Sequence, residues 1–549
     1  MKRRTLIKTL VAGAGAISLS RVSAATLLSR NFTANPADPF SPDWNSLMQY
    51  QTPEWFRDAK FGMWAHWGPQ CQPEFGDWYG RKMYEEGSDT YKYHCEKYGH
   101  PSKFGFKDVI HQWKAENWNP EELLAFYKKS GAKYFMALAN HHDNFDLYDS
   151  KYQSWNSTKI GPKKDLIAGW ARAAKRQGLP FAVSVHAAHA WNWYDTAKRA
   201  DKNGPLAGVT YDGNITTADG AGKWWDGYDP QQLYAQNHEA SAIHLPKTEM
   251  DKQWDWGGGA SIPDKAYCEK FYNRTIELID KYEPEMVYFD DTVLPLWPVS
   301  DVGLRITAHL YNRTIKKHGK LQGVITGKIL SEQQRKCMVW DIERGQSNRI
   351  EPLPWQTDTC IGDWHYDRRI YDNNKYKTPK TVIHTLVDVV SKNGNLMLNI
   401  PVRGDGTIDD KERAIVESVG AWLQINGEAI YATRPWTDFG EGPALESAAA
   451  LRAQGFNEGK GKPFTAKDIR FTTKGKTLYA IMLGWPEEKD IQIKKLASAN
   501  GVGKVARVNL LGYNAPLAFD QTTEALRIKL PDAPVGKEAF ALKIEGVIV

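Results

Sequence analysis

The fold of this chain is decided by the stretch Glu285-Met-Val-Tyr-Phe-Asp-Asp-Thr-Val-Leu-Pro-Leu-Trp297. Residues 286–289 are all apolar or aromatic, which is typical of a fully buried parallel strand. Asp290 and Asp291 follow directly, and a carboxylate at the end of a buried strand is costly unless it is paired or used. Barrels of alternating strands and helices carry their catalytic groups at this end of the strands. Because Asp-Asp is also common in turns and helix caps, the rest of the chain must decide between the two interpretations.

Short apolar runs separated by longer amphipathic segments recur between residues 45 and 436. This alternation is the signature of repeated βα units. Eight of the runs qualify as strands, which predicts an α/β catalytic domain built as a (β/α)8-type barrel with long loops. The predicted strands are Phe61–Trp67, Tyr134–Asn140, Phe181–His186, Met286–Phe289, Gly323–Thr326, Met338–Ile342, Trp355–Cys360 and Leu396–Ile400.

The longest insertion in this pattern covers residues 187–262 and is rich in Trp, Gly and Asp. A loop of this length in a compact domain is usually functional or disordered, and its aromatic content argues against disorder. We expect this insertion to form a wall of the active site.

The pattern changes after Arg434-Pro-Trp436, where short alternating segments separated by Gly, Asn and Pro turns begin. Such segments predict a small antiparallel β-sandwich over residues 437–549. No charged cluster in this region has a catalytic pattern, so we expect it to pack on the barrel.

The N-terminus, residues 1–24, has the pattern of an export signal. A basic start with Arg3-Arg4 precedes a short apolar run and the small residues Val22-Ser-Ala24, and the double arginine favours the twin-arginine type and the periplasm. The apolar run is too short to span a membrane. This segment holds five basic residues and no acidic one, which accounts for most of the formal net charge of +6. The mature protein is therefore nearly neutral, which gives no indication of nucleic-acid binding.

Composition points towards a polar ligand with apolar faces. The chain of 549 residues contains 22 Trp, 25 Tyr and 19 Phe, and sugar-binding clefts use such rings against the C–H faces of pyranoses. The five cysteines are scattered without paired spacing, so they predict neither a disulfide framework nor a zinc site.

Histidines and other polar residues follow the first three predicted strands, where a barrel forms its pocket. Several histidines at neighbouring strand ends are hard to explain as core, because each buried ring needs hydrogen-bond partners. Two interpretations remain open, a metal site that activates water or a set of hydrogen-bonding groups for sugar hydroxyls. The residues concerned are His66 at the end of the first strand, His141 and His142 directly after the second and His186 at the end of the third, with Asp143 or Asp290 as a further ligand in the metal interpretation. Asp77 and Trp78 lie in the loop that follows the first strand.

The sixth predicted strand is followed by Glu343, some distance around the barrel from Asp290. An Asp and a Glu that face each other across an aromatic cleft suit glycoside hydrolysis, with one as nucleophile and the other as proton donor. Two alternatives stay open at this point. Glu343 could form an ion pair with Arg344 or another Arg on the rim, and Glu351 is a rival acid in the same loop.

Several long motifs in order resemble the α-L-fucosidases of glycoside hydrolase family 29. The match spans residues 45–436, and the tail resembles the C-terminal sandwich of that family. The motifs are Lys60-Phe-Gly-Met-Trp-Ala-His-Trp-Gly68, Asn140-His-His-Asp-Asn-Phe145, Trp155-Asn-Ser157, Ser391-Lys-Asn-Gly-Asn-Leu-Met-Leu-Asn-Ile400, Asn426-Gly-Glu-Ala-Ile-Tyr431 and Thr433-Arg-Pro-Trp436.

The resemblance implies a role for each matching residue. Asp290 corresponds to the nucleophile, and Glu343 is our choice for the acid/base, although its position lies in a variable loop of the family. The sequence departs from the family pattern at Asp77-Trp78, where Glu-Trp is usual, and at Asp291, which is not universal. The residues expected to bind the sugar are His66, Asp77, Trp78, His141, His142, His186 and Tyr288.

The resemblance thus implies a retaining, exo-acting α-L-fucosidase that releases fucose from fucosylated glycans and needs no cofactor or metal. A fucose-containing carbohydrate is the expected partner, with no nucleic acid and no membrane span in the mature protein. The alternatives are a metal-dependent barrel hydrolase that uses the histidines, a related glycosidase for another deoxyhexose or hexose, and a sugar-binding relative without turnover. Neither the linkage cleaved nor the oligomeric state follows from the sequence.

Overall fold

The computed structural model describes residues 38–235, 237–238, 241, 255–257, 259–447 and 456–548. Eight parallel strands form a closed barrel in which each strand pairs with the next and β8 pairs with β1. This confirms the predicted barrel. The strands are β1 (Phe61–Ala65), β2 (Tyr134–Asn140), β3 (Phe181–Val185), β4 (Met286–Phe289), β5 (Val324–Gly327), β6 (Val339–Glu343), β7 (Trp355–Cys360) and β8 (Gly394–Asn399).

The barrel strands form because they are apolar on both faces and have helices outside and packed side chains inside. All seven residues of β2 and all six of β7 are buried. The predicted bounds are correct for β2, β4 and β7, and the other five strands differ by one or two residues at one or both ends. Because all eight strands are parallel, their carboxyl ends meet on one face of the barrel, where the predicted site residues gather.

The barrel helices begin at recognisable caps. Asn119 accepts a hydrogen bond from the backbone of Glu122 at the start of one helix, and Asp409 forms a capping box with Glu412 at another. The helices are α1 (Trp44–Leu47), α2 (Glu54–Ala59), α3 (Tyr79–Lys82), α4 (Asp89–Tyr98), α5 (Phe106–Gln112), α6 (Pro120–Lys129), α7 (Leu166–Gln177), α8 (Ala190–Trp193), α9 (Gln231–Tyr234), α10 (Lys265–Tyr282), α11 (Val302–His318), α12 (Arg368–Asp372), α13 (Pro379–Ser391) and α14 (Asp410–Asn426).

The C-terminal part consists of two antiparallel sheets, as predicted. The first has the strand order β13-β16-β11-β10-β9, and the second has the order β12-β15-β14. β9 contains the predicted domain boundary between residues 436 and 437, so the C-terminal sheet starts a few residues before it. The strands are β9 (Arg434–Glu441), β10 (Ile469–Lys474), β11 (Thr477–Met482), β12 (Asp490–Ile493), β13 (Arg507–Leu510), β14 (Phe519–Gln521), β15 (Leu526–Lys529) and β16 (Phe540–Glu545).

The predicted export signal, residues 1–24, lies outside the described residues. Among the residues that are described, no helix combines the length and the apolar character that a membrane crossing requires.

Candidate active site

A cavity of about 210 Å³ opens at the carboxyl ends of the barrel strands. Eight of the nine predicted site residues line it, and the ninth, His142, contacts Asp290. Strand ends that are far apart in the sequence are therefore brought together by barrel closure. The lining residues are Trp64, His66, Asp77, Trp78, His141, His186, Tyr288, Asp290, Asp291, Thr292, Lys328, Ile329, Glu343, Asp358, Trp364 and Phe456.

Asp290, directly after β4, is held by an ammonium group and two imidazoles. Its Oδ2 lies 3.1 Å from Nε2 of His142 and 3.3 Å from Nδ1 of His186. Its Oδ1 accepts a hydrogen bond of 2.6 Å from Nζ of Lys328. Burial alone raises the pKa of this carboxyl, but Lys328 and the histidines outweigh burial and hold the pKa well below its usual range. Asp290 is therefore an ionised carboxylate at neutral pH.

Lys328, directly after β5, is a functional residue that the sequence analysis missed. Its buried Nζ donates hydrogen bonds to Oδ1 of Asp290 at 2.6 Å and to Oε2 of Glu343 at 2.5 Å. Burial lowers its pKa, but the surrounding carboxylates raise it well above the usual value, so the ammonium stays charged. A lysine that directly follows an apolar strand was the available signal, because lysine is rarely buried without a partner.

Glu343 ends β6 and faces the cavity opposite Asp290, with Lys328 between them. Burial raises the pKa of Glu343 to about 7, Lys328 opposes this shift, and the negative charge of Asp290 adds to it. The alternative in which Glu343 pairs with Arg344 is wrong, because Nε of Arg344 lies 3.3 Å from Glu458 instead. The two carboxyl groups of the site thus have pKa values that are pushed apart by their surroundings.

Two further buried carboxyl groups, Asp341 and Asp358, complete the surroundings of Lys328. The hydroxyl of Tyr288 donates a 2.7 Å hydrogen bond to Asp358, and Nε2 of Gln356 donates one of 2.9 Å to Asp341. Burial raises the pKa of both groups, and the charge of Asp358 raises that of Asp341 further. Both groups lie close enough to Lys328 for their negative charge to raise its pKa.

Three of the histidines at the strand ends, His66, His141 and His186, are uncharged hydrogen-bonding groups. Burial lowers the pKa of His66 and His141 well below the usual value and that of His186 to about 4. A neutral imidazole offers one N–H donor and one nitrogen acceptor, which is the pattern needed to bind vicinal hydroxyl groups. Nδ1 of His141 lies 2.7 Å from Nε2 of Gln70, and this contact orients its ring.

The same histidines also form two groups in which ligand-capable atoms lie within 4.8 Å of one another. One group combines His141, His142 and His186, but both ring nitrogens of His142 are engaged, with the backbone oxygen of His186 at 2.8 Å and with Asp290. A metal ion in that group would have to replace these contacts. The other group is His66, Asp77, His141 and His365.

Asp77 and Trp78 reach the cavity from the loop after β1. Oδ1 of Asp77 lies 2.6 Å from Nδ1 of His365. Burial raises the pKa of Asp77, but the contact with His365 and nearby cationic groups give a net lowering. Trp78 has a left-handed backbone with φ of 62°, a strained conformation of the kind that persists at functional sites. His365 and its neighbour Trp364, which the sequence analysis missed, follow β7 as the other site residues follow their strands.

The rival acid, Glu351, does not line the cavity. Its carboxylate is buried against Oγ of Ser347 at 2.7 Å and Nε of Arg349 at 3.1 Å. Asp291 does line the cavity, and its Oδ1 lies 3.1 Å from Nε2 of His189. The pKa of the neighbouring Asp290 is nevertheless lowered, because Lys328 and the histidines dominate its surroundings.

The insertion at residues 187–262 was expected to form a wall of the site. None of its described residues lines the cavity. Its buried Trp193 packs behind the site, with its ring 6.4 Å from Trp78 and 6.3 Å from His142. The described part of the insertion therefore forms a second layer that supports the wall.

Comparisons with known proteins agree with this geometry. A family model described as alpha-L-fucosidase matches residues 27–428, and one described as the alpha-L-fucosidase C-terminal domain matches residues 462–545. The chain belongs to the α-L-fucosidase family. It is therefore a glycoside hydrolase, and the resemblance seen in the sequence motifs is confirmed.

Individual fucosidases match over nearly the whole chain. Tissue alpha-L-fucosidase of Rattus norvegicus is 25% identical over 523 residues, which cover 92% of this chain and 93% of the relative. A crystal structure of the Thermotoga maritima alpha-fucosidase has a TM-score of 0.66 and 25% identity, and covers 92% of this chain and 100% of that chain. A structure of the Thermotoga maritima enzyme in complex with fucose has a TM-score of 0.65 at 24% identity, with the same coverage.

Proposed function

We propose that this fucosidase acts with retention of configuration, with Asp290 as nucleophile and Glu343 as acid/base. The observation that carries the proposal is the shared contact with Lys328, whose Nζ lies 2.6 Å from Asp290 and 2.5 Å from Glu343. The two carboxylate oxygens are therefore separated by no more than about 5 Å. Retaining glycosidases place their two carboxyl groups about 5–5.5 Å apart, whereas inverting enzymes leave about 6.5–9.5 Å for a water molecule.

Asp290 attacks the anomeric carbon of the fucose and forms a covalent glycosyl-enzyme. The attack requires an ionised carboxylate, which the low pKa of Asp290 supplies. His142 and His186 contact its Oδ2 and fix the orientation of the carboxylate, while Lys328 contacts Oδ1.

Glu343 first protonates the departing oxygen and then removes a proton from the water that releases fucose. A pKa of about 7 suits both steps, because the group can both give up and take up a proton near neutral pH. This pKa also determines how the activity depends on pH. A general acid is active when protonated, so kcat/KM falls as the pH rises through the pKa of Glu343, which places the alkaline limb near pH 7.

The cavity suits a single terminal sugar. Its volume of about 210 Å³ is below the roughly 300–1,000 Å³ of pockets that enclose drug-sized ligands, which fits exo action. Neutral His66, His141 and His186 provide donors and acceptors for the hydroxyl groups of fucose. The rings of Trp64 and Trp364, whose centroids are 5.5 Å apart, offer an apolar surface for its methyl group.

Hydrolysis of an aryl α-L-fucoside by Asp290→Gly and Glu343→Ala, each with and without azide, tests both roles. Each variant is expected to lose several orders of magnitude in kcat/KM. Azide should restore turnover of Asp290→Gly as β-fucosyl azide, because azide then attacks the substrate itself. Azide should also restore turnover of Glu343→Ala, with α-fucosyl azide as the product, because azide then attacks the covalent intermediate.

Glu351→Ala is the matched control, since Glu351 is a buried glutamate of the same loop that lies outside the cavity. It is expected to keep its activity. Full activity of Glu343→Ala would overturn the acid/base assignment, and full activity of Asp290→Gly would overturn the mechanism as a whole.

The group formed by His66, Asp77, His141 and His365 favours one competing mechanism, in which a metal ion activates water. Exhaustive chelation followed by assay on the aryl fucoside distinguishes the two. The double-displacement mechanism predicts unchanged kcat, whereas loss of activity that is restored by a divalent metal would support the competitor.

We further propose that residues 1–24 direct export to the periplasm through the twin-arginine route. Arg3→Lys together with Arg4→Lys should keep the precursor in the cytoplasm, as measured by activity in cell fractions. A mature periplasmic product from this variant would instead indicate the general secretory route.

A further inference from the structure

Phe456 is a partly exposed aromatic residue at the rim of the active-site cavity. It belongs to the segment that leads into the C-terminal sheets, and it lines the cavity together with Glu343 and Ile329. Its exposed fraction is 43%. A single exposed apolar residue needs no explanation on an ordinary surface, but one that borders a sugar-binding cavity offers a surface to the ligand.

The backbone around Phe456 is fixed to the strand end that carries the proposed acid/base. The N–H of Phe456 donates a 2.9 Å hydrogen bond to the carbonyl oxygen of Glu343, and the N–H of Glu458 donates one of 2.9 Å to the carbonyl oxygen of Arg344. Residues 456–458 therefore run beside the end of β6. The ring of Phe456 and the carboxyl of Glu343 are positioned by the same backbone contact.

The side chain of Glu458 ties this segment to three parts of the barrel. Its carboxylate accepts hydrogen bonds from Nζ of Lys377 at 2.7 Å, Oγ1 of Thr359 at 2.9 Å and Nε of Arg344 at 3.3 Å. Burial raises the pKa of Glu458, but the contact with Lys377 and the other donors lower it overall, so the ion pairs persist at neutral pH. The segment is held in place before any ligand binds, which limits the entropy lost on binding.

The backbone is strained at the two apolar residues that line the cavity near Glu343. Phe456 has φ of 48° and Ile329 has φ of 51°, in the left-handed region that β-branched and bulky residues avoid. Each such conformation costs about 1–3 kcal/mol and persists where the surrounding structure requires it, often at ligand sites. Here both strained residues line the same cavity.

We propose that Phe456 and Ile329 form the subsite for the leaving-group sugar, which stacks a C–H face of its pyranose ring on Phe456. The inference rests on the proposed role of Glu343, because the group that protonates the glycosidic oxygen marks the side on which the leaving group lies. Two cations that contact the segment, Arg344 and Lys377, are ion-paired with Glu458. The subsite is therefore suited to a neutral sugar rather than one that carries sulfate or carboxylate.

Two substrates separate this role from a general effect on catalysis. α-L-Fucosyl fluoride has no leaving-group sugar, whereas a neutral α-L-fucosyl disaccharide must place one against Phe456. Phe456→Ala should lower kcat/KM for the disaccharide about tenfold, in line with the energy of ring stacking, and leave the fluoride within about twofold. Phe456→Gly removes the ring and also relieves the left-handed backbone, so it should show the same loss with equal or higher stability. Phe456→Trp keeps an aromatic ring at this position, so its kcat/KM for the disaccharide relative to the fluoride should equal that of the wild type.

Tyr513→Ala is the matched control, because Tyr513 is a similarly exposed aromatic residue, at 41%, in the C-terminal sheets. It should leave both substrates unchanged. Equal losses on disaccharide and fluoride would overturn the proposal and show that Phe456 acts through the backbone of Glu343. Unchanged kcat/KM of Phe456→Ala on both substrates would also overturn it. So would a higher kcat/KM of the wild-type enzyme for a disaccharide with a sulfated leaving-group sugar than for the neutral disaccharide. The variant Glu343→Ala separates failure of this proposal from failure of the proposed mechanism. If Glu343 is not the acid/base, Glu343→Ala remains active on the disaccharide.

Discussion

Lys328 controls the ionisation of both proposed catalytic residues through one nitrogen atom. Its Nζ is within 2.6 Å of Asp290 and 2.5 Å of Glu343, and a positive charge at these distances favours the ionised form of each. Asp290 also contacts His142 and His186, so its pKa falls well below the usual value. For Glu343, burial and the charge of Asp290 outweigh Lys328, and the pKa is about 7. The same cation thus keeps the nucleophile ionised and limits the rise in the pKa of the acid.

Replacement of Lys328 by Met should shift the whole pH profile of kcat/KM to higher pH. Without the ammonium the pKa of Asp290 rises, and the acid limb moves up by about 1–3 pH units, the usual effect of one adjacent opposite charge. The pKa of Glu343 rises as well, so the alkaline limb moves in the same direction. The other charged or titratable groups around this pair, His142, His186, Asp341 and Asp358, are retained. The measurement is kcat/KM for an aryl fucoside between pH 4 and pH 9.

Lys392→Met serves as the control for this variant. Lys392 is also a buried lysine with a 2.6 Å contact to a carboxylate, Asp388, but it does not line the active-site cavity. Its loss should reduce stability without moving either limb. Lys328→Arg should restore most of the wild-type profile. A profile of Lys328→Met that is lower in height but unmoved along the pH axis would contradict the electrostatic role.

At the scale of single elements, the loop after β2 is fixed by an arginine from α10. Nε and Nη2 of Arg274 contact the two carboxylate oxygens of Asp146 at 3.1 and 2.7 Å, and Nη1 donates to Oδ1 of Asn144 at 2.6 Å. Asp146 also accepts a 2.9 Å hydrogen bond from Nδ2 of Asn140. These buried contacts hold both ends of the segment that carries His141 and His142.

Arg274→Met should lower the free energy of unfolding by about 3–5 kcal/mol, because it leaves the carboxylate of Asp146 buried without its charged partner. kcat/KM should fall as well, since the two histidines lose their support. Urea unfolding at neutral pH measures the first effect. Arg176→Met is the matched control, as Arg176 makes an equally short but exposed contact of 2.6 Å with Glu121, and its loss should cost under about 1 kcal/mol. A similar cost for both variants would contradict this account.

The elements of the barrel follow from the sequence because its strands are buried on both faces. A continuous apolar run has to be a buried strand or helix segment, and its short length selects the strand. β9 and β14 were not predicted, since their residues are partly exposed and lack an apolar face that alternates along the strand. The insertion at residues 187–262 shows a further limit. Its composition indicated a structured loop, but whether it lines the cavity or supports it depends on packing that the sequence does not encode locally.

The site residues were predictable to the extent that they lie at the ends of predicted strands or just after them. His66, His186 and Asp290 are of this kind, and each is found in the site. Lys328 satisfies the same rule but was missed, because lysine is common on surfaces and a single cation has no distinctive spacing. Phe456 was beyond prediction, since it approaches Glu343 from more than a hundred residues further along the chain. Contacts of that range are set by the assembled molecule.

At the scale of the whole molecule, one face of the C-terminal sheets shares a hydrophobic core with the barrel, while the other buried residues of the sheets form a core of their own. Tyr479 and Ile481 of β11 and Ala541 of β16 belong to the same buried cluster as the barrel strands. Polar contacts cross the same boundary, including a 2.7 Å hydrogen bond from Nε1 of Trp422 to the backbone oxygen of Ala539. The two parts are therefore expected to unfold together, in a single calorimetric transition.

Disruption of the ion cluster around Asp388 tests whether the barrel and the C-terminal sheets unfold together. Asp388 of α13 lies 2.6 Å from both Lys392 at the end of that helix and Arg470 of β10, and all three are buried. Asp388→Ala leaves two buried cations without their carboxylate, which should cost about 3–5 kcal/mol and separate the melting of the C-terminal sheets from that of the barrel. Scanning calorimetry should show one transition for the wild type and for the control Asp438→Ala, whose partner Lys495 is exposed, and two for Asp388→Ala. Two transitions in the wild type would show instead that the shared core does not couple the domains.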